Sequence, residues 1–314
     1  MATTTLPPSS PMDLSGDPRR HRKERFMGGL FFVAAATSLL VTVLILYSLF
    51  SNGWDFFSKV EWSTVFSTDA WNPRQNSFSI STIVSATLIV TGIAMIVATP
   101  LGLGAAVYLS EYARPRARTV LKPILEVLAG VPSVVLGFFA LNWIAPNVVG
   151  NLFGEEHGRG GSMLAAGIGV GILTIPLMAS VSEDAMRAVP ASLREASAGL
   201  GARRMPTTIR VVLPAAVSGL VAAFILAASR AIGETMVVFI AGGATNTASY
   251  TLTPTDSSLT MTAAMASLAT GTDQVRGAGL AVPSLYFVGI ALFAITLGLN
   301  VIANRFVRRV RQAY

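Results

Sequence analysis

Residues 192–214 read SLREASAGLGARRMPTTIRVVLP. Ser192 followed at the third position by Glu195 makes a Ser-x-x-Glu box, suited to the free amides at a helix start. Leu193, Ala196 and Leu200 fall on one face at spacings of three and four. Gly201 is placed to end that helix in a left-handed conformation, and Pro206 suits the first turn of a second. The expectation is a short amphipathic helix from Ser192, a sharp turn, and another helix running toward Leu213 and Pro214. On either side lies apolar sequence, roughly 162–186 before and 213–241 after, each run long enough to cross about 30 Å of hydrocarbon. The helix pair therefore belongs at a membrane surface.

Further out, four more apolar runs of membrane length occur at roughly 27–50, 80–108, 119–145 and 282–306. The first is too long for a signal-peptide core, which is about 7–15 residues, and reads as an uncleaved anchor. The chain is 52% hydrophobic and 12% charged, whereas soluble domains carry about a quarter charged residues. The fold expected is all-α and integral to a membrane, with six spans. Residues 1–26 read as a disordered basic cytoplasmic tail. Residues 27–78 hold the first span and an outer segment, 79–309 the main transmembrane domain with a cytoplasmic loop at 187–214, and 310–314 a short cytoplasmic tail.

Of the 23 Lys and Arg residues, 18 fall on one side if the N-terminus lies inside, and Lys59, Arg74, Arg159 and Arg276 fall on the other. That asymmetry puts both termini in the cytosol. Two outer segments are long enough to meet a partner, and Trp54, Trp62 and Trp71 in the first suit either that role or interfacial anchoring. Glycines and prolines within the spans, such as Pro100, Gly102, Gly130, Pro132, Gly167, Gly171 and Pro176, fit close helix packing and a translocation path equally well.

A formal charge of +7 invites a nucleic-acid reading. The basic residues sit at the ends of apolar runs rather than on a solvated face, so no nucleic acid is expected. The chain has no Cys and two His, His21 and His157, both in polar segments, which leaves no metal motif. None of the three lysines, Lys23, Lys59 and Lys122, follows a Gly-rich phosphate loop. No cofactor and no catalytic centre are expected in the chain itself.

Arg230 is the one basic residue inside a span, close to the middle of the 213–241 run. An Arg at that depth costs at least about 2.5–3.5 kcal/mol on insertion scales, so it should face a bundle interior or an aqueous path. Glu234 is one turn away on the same helical face. The two suit a self-neutralising ion pair. They also suit a substrate path, with the Arg230 fork receiving an oxyanion and Glu234 softening the attraction.

The segment Glu195, Ala196, Ser197, three residues, Gly201, nine residues, Val211, Val212, Leu213, Pro214 resembles the EAA loop of ABC importer permeases, with Ser197 for a second Ala and Val211 for Ile. Ser229 to Met236, Leu128 to Val134 and Pro100 to Tyr112 resemble segments of the phosphate permease branch, in its PstC rather than its PstA form. The resemblance covers about 79–309 and implies the type I ABC importer permease (MetI-like) fold. It implies that Glu195, Ala196, Ser197, Gly201, Leu213 and Pro214 form the surface coupled to a cytosolic ATPase. It also implies a PstA-like permease, a PstB-like ATPase pair and a PstS-like phosphate-binding protein as partners in a bacterial plasma membrane. Sulfate or molybdate permeases share the fold and stay as alternatives. An ATP-independent transporter or channel would not need the loop.

Overall fold

The computed structural model describes residues 18–243, 247–270 and 279–311. Positions 1–17 of the expected tail, Arg276, and residues 312–314 lie outside the described residues. Six helices among the described residues are long and apolar enough to cross a membrane: Lys23–Lys59, Ile80–Tyr112, Ser133–Phe153, Met163–Arg187, Arg204–Ile232 and Ala281–Arg305.

The chain divides into two units, Met1–Leu49 and Phe50–Tyr314. The first unit carries most of α1 (Pro18–Lys59). That helix begins inside the segment expected as a tail, which corrects the expectation for residues 18–26. Arg, Lys and Glu are good helix formers, and a helix already nucleated by the apolar run extends backward at little cost. No residue of its spanning window is buried. A helix apolar on every side and unburied in protein is matched to hydrocarbon.

The second unit takes in the end of α1, then α2 (Trp62–Val65) and a two-stranded hairpin, β1 (Trp71–Asn72) against β2 (Ser77–Phe78), with Asn76 at φ 56° in the turn. Trp71 and Ala248 exchange backbone hydrogen bonds of 2.7 and 3.1 Å. The Trp71 ring is buried, edge-on to Phe78. It therefore belongs to a core that ties the segment around Trp71 to that around Ala248 and Leu259, rather than to an interfacial belt, whereas Trp54 and Trp62 stay exposed. Burying a ring of that size contributes at most roughly 4–6 kcal/mol.

The centre is α3 (Ile80–Val107), prolonged by a π-helical turn at Tyr108–Tyr112, packed along α8 (Met163–Arg187). The backbones meet where glycines allow it: Gly167 lies on Ile93, Gly171 on Val97, and Gly102 on Met178. Small residues at i and i+4 facing β-branched partners are a packing device of membrane helices.

Two spans differ from expectation. The run 119–145 is not one span. It contains α4 (Pro115–Ala129), an amphipathic helix with no buried residue, and the chain breaks at Gly130–Pro132. Pro132 lacks an amide and disfavours helical geometry at Val131. The third span starts afresh as α5 (Ser133–Phe139), continues in π-helical form over Ala140–Gly150, and ends in α6 (Asn151–Phe153), with α7 (Glu155–Gly158) beyond. Along it the amides of Asn142, Asn147 and Asn151 donate to the carbonyls of Phe138, Trp143 and Asn147 at 2.7–3.0 Å.

The run 213–241 is likewise broken. α9 (Ala191–Gly199) and α10 (Arg204–Thr207) lead through a π-helical turn, Thr208–Val212, into α11 (Leu213–Ile232). The chain unwinds over Gly233–Thr235 and resumes as α12 (Met236–Ala241), wedged against α5 and α8. α13 (Met261–Ala269) packs on α14 (Ala281–Arg311), the last span.

Candidate functional site

The 187–214 loop has its turn where the sequence puts it and its helix start elsewhere. α9 begins at Ala191 after Pro190, with no side-chain cap, so the Ser192–Glu195 box does not form. Proline supplies the fixed φ that enters the helix, and Ser192 and Glu195 are left exposed within it. Gly201 has φ +78°. Its amide donates to Ala198 O at 2.9 Å and the next, Ala202, donates to Ser197 O at 3.1 Å. That is a Schellman close, which glycine makes without steric penalty.

α9 buries none of its residues. Leu193 and Leu200, on the apolar face, are 42% and 89% exposed. Ala196 is exposed too, and Ser197 is half-buried with its hydroxyl 2.9 Å from that of Thr207. Leu213 and Pro214 open α11, with Leu213 packed on a small cluster around Met186, Val189 and Val212. The apolar side of α9 is therefore left uncovered by the rest of the chain.

The second set of residues surrounds a cleft of about 300 Å³ among α4, α8 and the end of α11. Arg230 lines it from the last turn of α11. Leu173 and Pro176 line it at the middle of α8, and Lys122 and Glu126 from α4. Arg230 is exposed, and no ion pair joins it to Glu234 among the described residues. Glu234 instead turns an oxygen toward the amides of Met236 and Val237, at 3.2 and 3.3 Å, and its backbone carbonyl accepts from Thr262 Oγ1 at 2.7 Å. The helix ends at Gly233, so the one-turn relationship assumed for an intact span is lost. Glu234 holds α12 and α13 in place, and Arg230 alone offers its fork to the cleft.

A third feature was not anticipated from the sequence. Glu183 is fully buried at the cleft, with Arg118 at 2.6 Å, Lys122 at 3.4 Å and Arg187 at 3.8 Å, while Lys122 also reaches Asp184 at 3.7 Å. Among the described residues no aligned hydrogen bond reaches either Glu183 oxygen, and ion pairs help fasten α4 to α8 there. Arg118 and Lys122 fit one helical face of α4, which is the signal that would have separated this helix from the span after it.

Six helices of spanning length, with an exposed helical loop between the fourth and fifth, define a polytopic membrane protein. The chain belongs to the family of binding-protein-dependent transport system inner membrane components, which matches residues 98–312. It is 33% identical over 284 residues, 82% of its length and 83% of the relative's, to "Phosphate transport system permease protein PstC 1" of Mycobacterium tuberculosis (strain ATCC 25618 / H37Rv). It is 33% identical over 226 residues, 72% of its length and 70% of the relative's, to "Phosphate transport system permease protein PstA 1" of the same strain. A crystal structure of a bacterial alginate ABC transporter, in complex with an alginate pentasaccharide-bound periplasmic protein, matches with a TM-score of 0.63 at 15% identity, covering 92% of this chain and 97% of that one. The MetNI methionine ABC transporter, inward facing, matches at 0.54 and 21% identity, covering 74% and 95%. The fold is that of the type I ABC importer permeases, in the MetI-like form.

Proposed function

We propose that this chain is one permease subunit of an ATP-driven phosphate importer, forming half of the translocation path with a second, PstA-like subunit. The observation that carries the reading is Arg230. It is the one basic residue the sequence puts within a span, and its guanidinium lines a cleft at the level of the middle of α8 without an acidic partner in the same helix. A planar fork of donors facing a cleft is matched to a tetrahedral oxyanion, which it binds by paired charge-assisted hydrogen bonds. The relatives' names supply phosphate as that anion.

In this reading the Arg-rich loops and both termini face the cytosol. A pair of PstB-like ATPases engages the exposed face of α9 through Glu195, Ala196, Ser197 and Gly201, with Leu213 and Pro214 joining that surface to the fifth span. A PstS-like binding protein delivers phosphate from the other side. ATP-driven closure of the ATPases and docking of the loaded binding protein favour the outward-open state, and hydrolysis resets the inward one. Residues 1–26 are a cytoplasmic tail, 27–78 an accessory span with its outer segment, and 79–309 the permease domain. The test is radiolabelled phosphate uptake by cells lacking the gene and by the same cells complemented. Uptake that returns and is resistant to excess sulfate and molybdate supports phosphate. Uptake quenched by sulfate or molybdate assigns a different oxyanion.

A further inference from the structure

Since α9 buries none of its residues, packing does not fix it to the rest of the protein. Directional bonds do that instead, and most of them come from one side chain. Arg194 donates from Nη2 to Glu111 Oε1 at 2.9 Å and from Nε to Glu111 Oε2 at 3.3 Å. The same guanidinium donates from Nη1 to the Val189 carbonyl at 2.7 Å and from Nη2 to the Met186 carbonyl at 2.8 Å. Glu111 belongs to the π-helical turn that ends the second span, and Met186 to the last turn of the fourth. One fork thus joins α9 to two spans that are themselves packed along their length. A helix C-terminus and a carboxylate both favour a cation, so the three groups have a common demand that one arginine meets. A lysine ammonium lacks the planar set of donors needed to serve all of them. Among the described residues the other side-chain tie of α9 is the hydroxyl contact of Ser197 with Thr207, which reaches the neighbouring α10.

We propose that Arg194 is the joint through which α9 moves as one body with the second and fourth spans, so that displacement of the loop becomes displacement of the cleft walls. The proposal rests on the reading of α9 as the ATPase-engaging helix. Arg194 is a positioning residue: it acts through Glu111 and the end of α8, and its side chain turns away from the exposed apolar face. Without it, α9 remains available to an ATPase but swivels on its two connections, and hydrolysis is no longer passed to the spans.

The experiment uses the assembled transporter in proteoliposomes with its ATPase and binding protein, measuring ATP hydrolysis and phosphate uptake in the same sample. Arg194→Gln should keep the ATPase bound and hydrolysing while phosphate moved per ATP falls at least about ten-fold, the effect of losing charge-assisted bonds of this kind. Arg194→Lys should not restore the ratio. Should Arg194→Gln fail to assemble, Glu111→Gln carries the same comparison, because both carbonyl bonds remain. The chain has no Cys, so Glu111→Cys with Arg194→Cys can be bridged by a short cleavable bifunctional thiol reagent. Bridging should raise the transport ratio, and cleaving the bridge should lower it again. A wild-type ratio in Arg194→Gln and Glu111→Gln, or a bridged pair no better coupled than the unbridged one, overturns the joint. Leu193→Asp with Leu200→Asp separates the two levels. If that pair leaves ATPase binding intact, the docking reading of α9 fails. If it releases the ATPase while Arg194→Gln stays coupled, only the joint fails.

Discussion

Gly171 of α8 rests on Val97 of α3 so closely that a Cβ added at Gly171 would lie 2.8 Å from Val97 Cβ and 3.0 Å from the Ala94 carbonyl oxygen. One of those neighbours is backbone and the other is β-branched, so neither gives way. Gly171→Val should force the central pair apart, costing about 1–3 kcal/mol or more, and lower the yield of folded protein in detergent. Gly104→Ala, in open space on α3, should be tolerated. Equal yields for the two would mean that these helices are not the packed centre.

At Gly201 the constraint is conformational alone, because nothing lies within 4 Å of an added Cβ while φ is +78°. Gly201→Asn should therefore keep the turn, and Gly201→Val should pay the left-handed penalty of at least about 1–2 kcal/mol. The ratio of phosphate transported to ATP hydrolysed in proteoliposomes should fall for Val and hold for Asn. A volume effect at this site would penalise both.

Orientation is testable in a chain with no native Cys. Cysteines introduced at Ala198 and Ser257 are both at exposed positions, in α9 and in the outer segment before α13. In intact cells an impermeant thiol reagent should label the Ser257 site and leave the Ala198 site untouched until the cells are broken. The reverse pattern would invert the topology.

For the charge cluster, Arg118→Gln with Lys122→Gln leaves buried Glu183 facing only Arg187 at 3.8 Å. Stripping counter-charges from a buried ion costs about 3–5 kcal/mol, and the partly exposed partners put this case near the lower end. The thermal midpoint in detergent should drop, and adding Glu183→Gln should recover most of the loss, since a neutral amide needs no counter-ion. A double variant as stable as the parent would show that the cluster contributes nothing.

The number of spans, the loop between the fourth and fifth and the turn at Gly201 were all legible, because apolar run length and positive-φ chemistry are local properties. What failed were readings that assumed an unbroken helix. The single break at Val131–Pro132 turned one expected span into a surface helix and a different span, and a window of hydropathy cannot see a break flanked by apolar residues. Gly233 did the same to Arg230 and Glu234, whose pairing holds only on a continuous helix. The Asn142, Asn147 and Asn151 amides follow π-helical rather than 3.6-residue spacing, so no periodicity points to them. Glu183 and the Arg194–Glu111 contact are long-range, and one sequence carries no signal for contacts across 65 or more positions.

If the Arg230 guanidinium meets the anion in transit, substitution at that one position should stop transport without disturbing assembly. Arg230→Lys keeps the charge and, with no salt bridge to Glu234 to disturb, should fold and assemble; it loses only the planar fork. The measurement is radiolabelled phosphate uptake normalised to assembled complex. Uptake should fall about ten-fold or more for Arg230→Lys, the effect of losing one charge-assisted hydrogen bond of roughly 1.5–3 kcal/mol, and further for Arg230→Gln. Uptake near the parent level in Arg230→Lys and Arg230→Gln, with the complex intact, would contradict it.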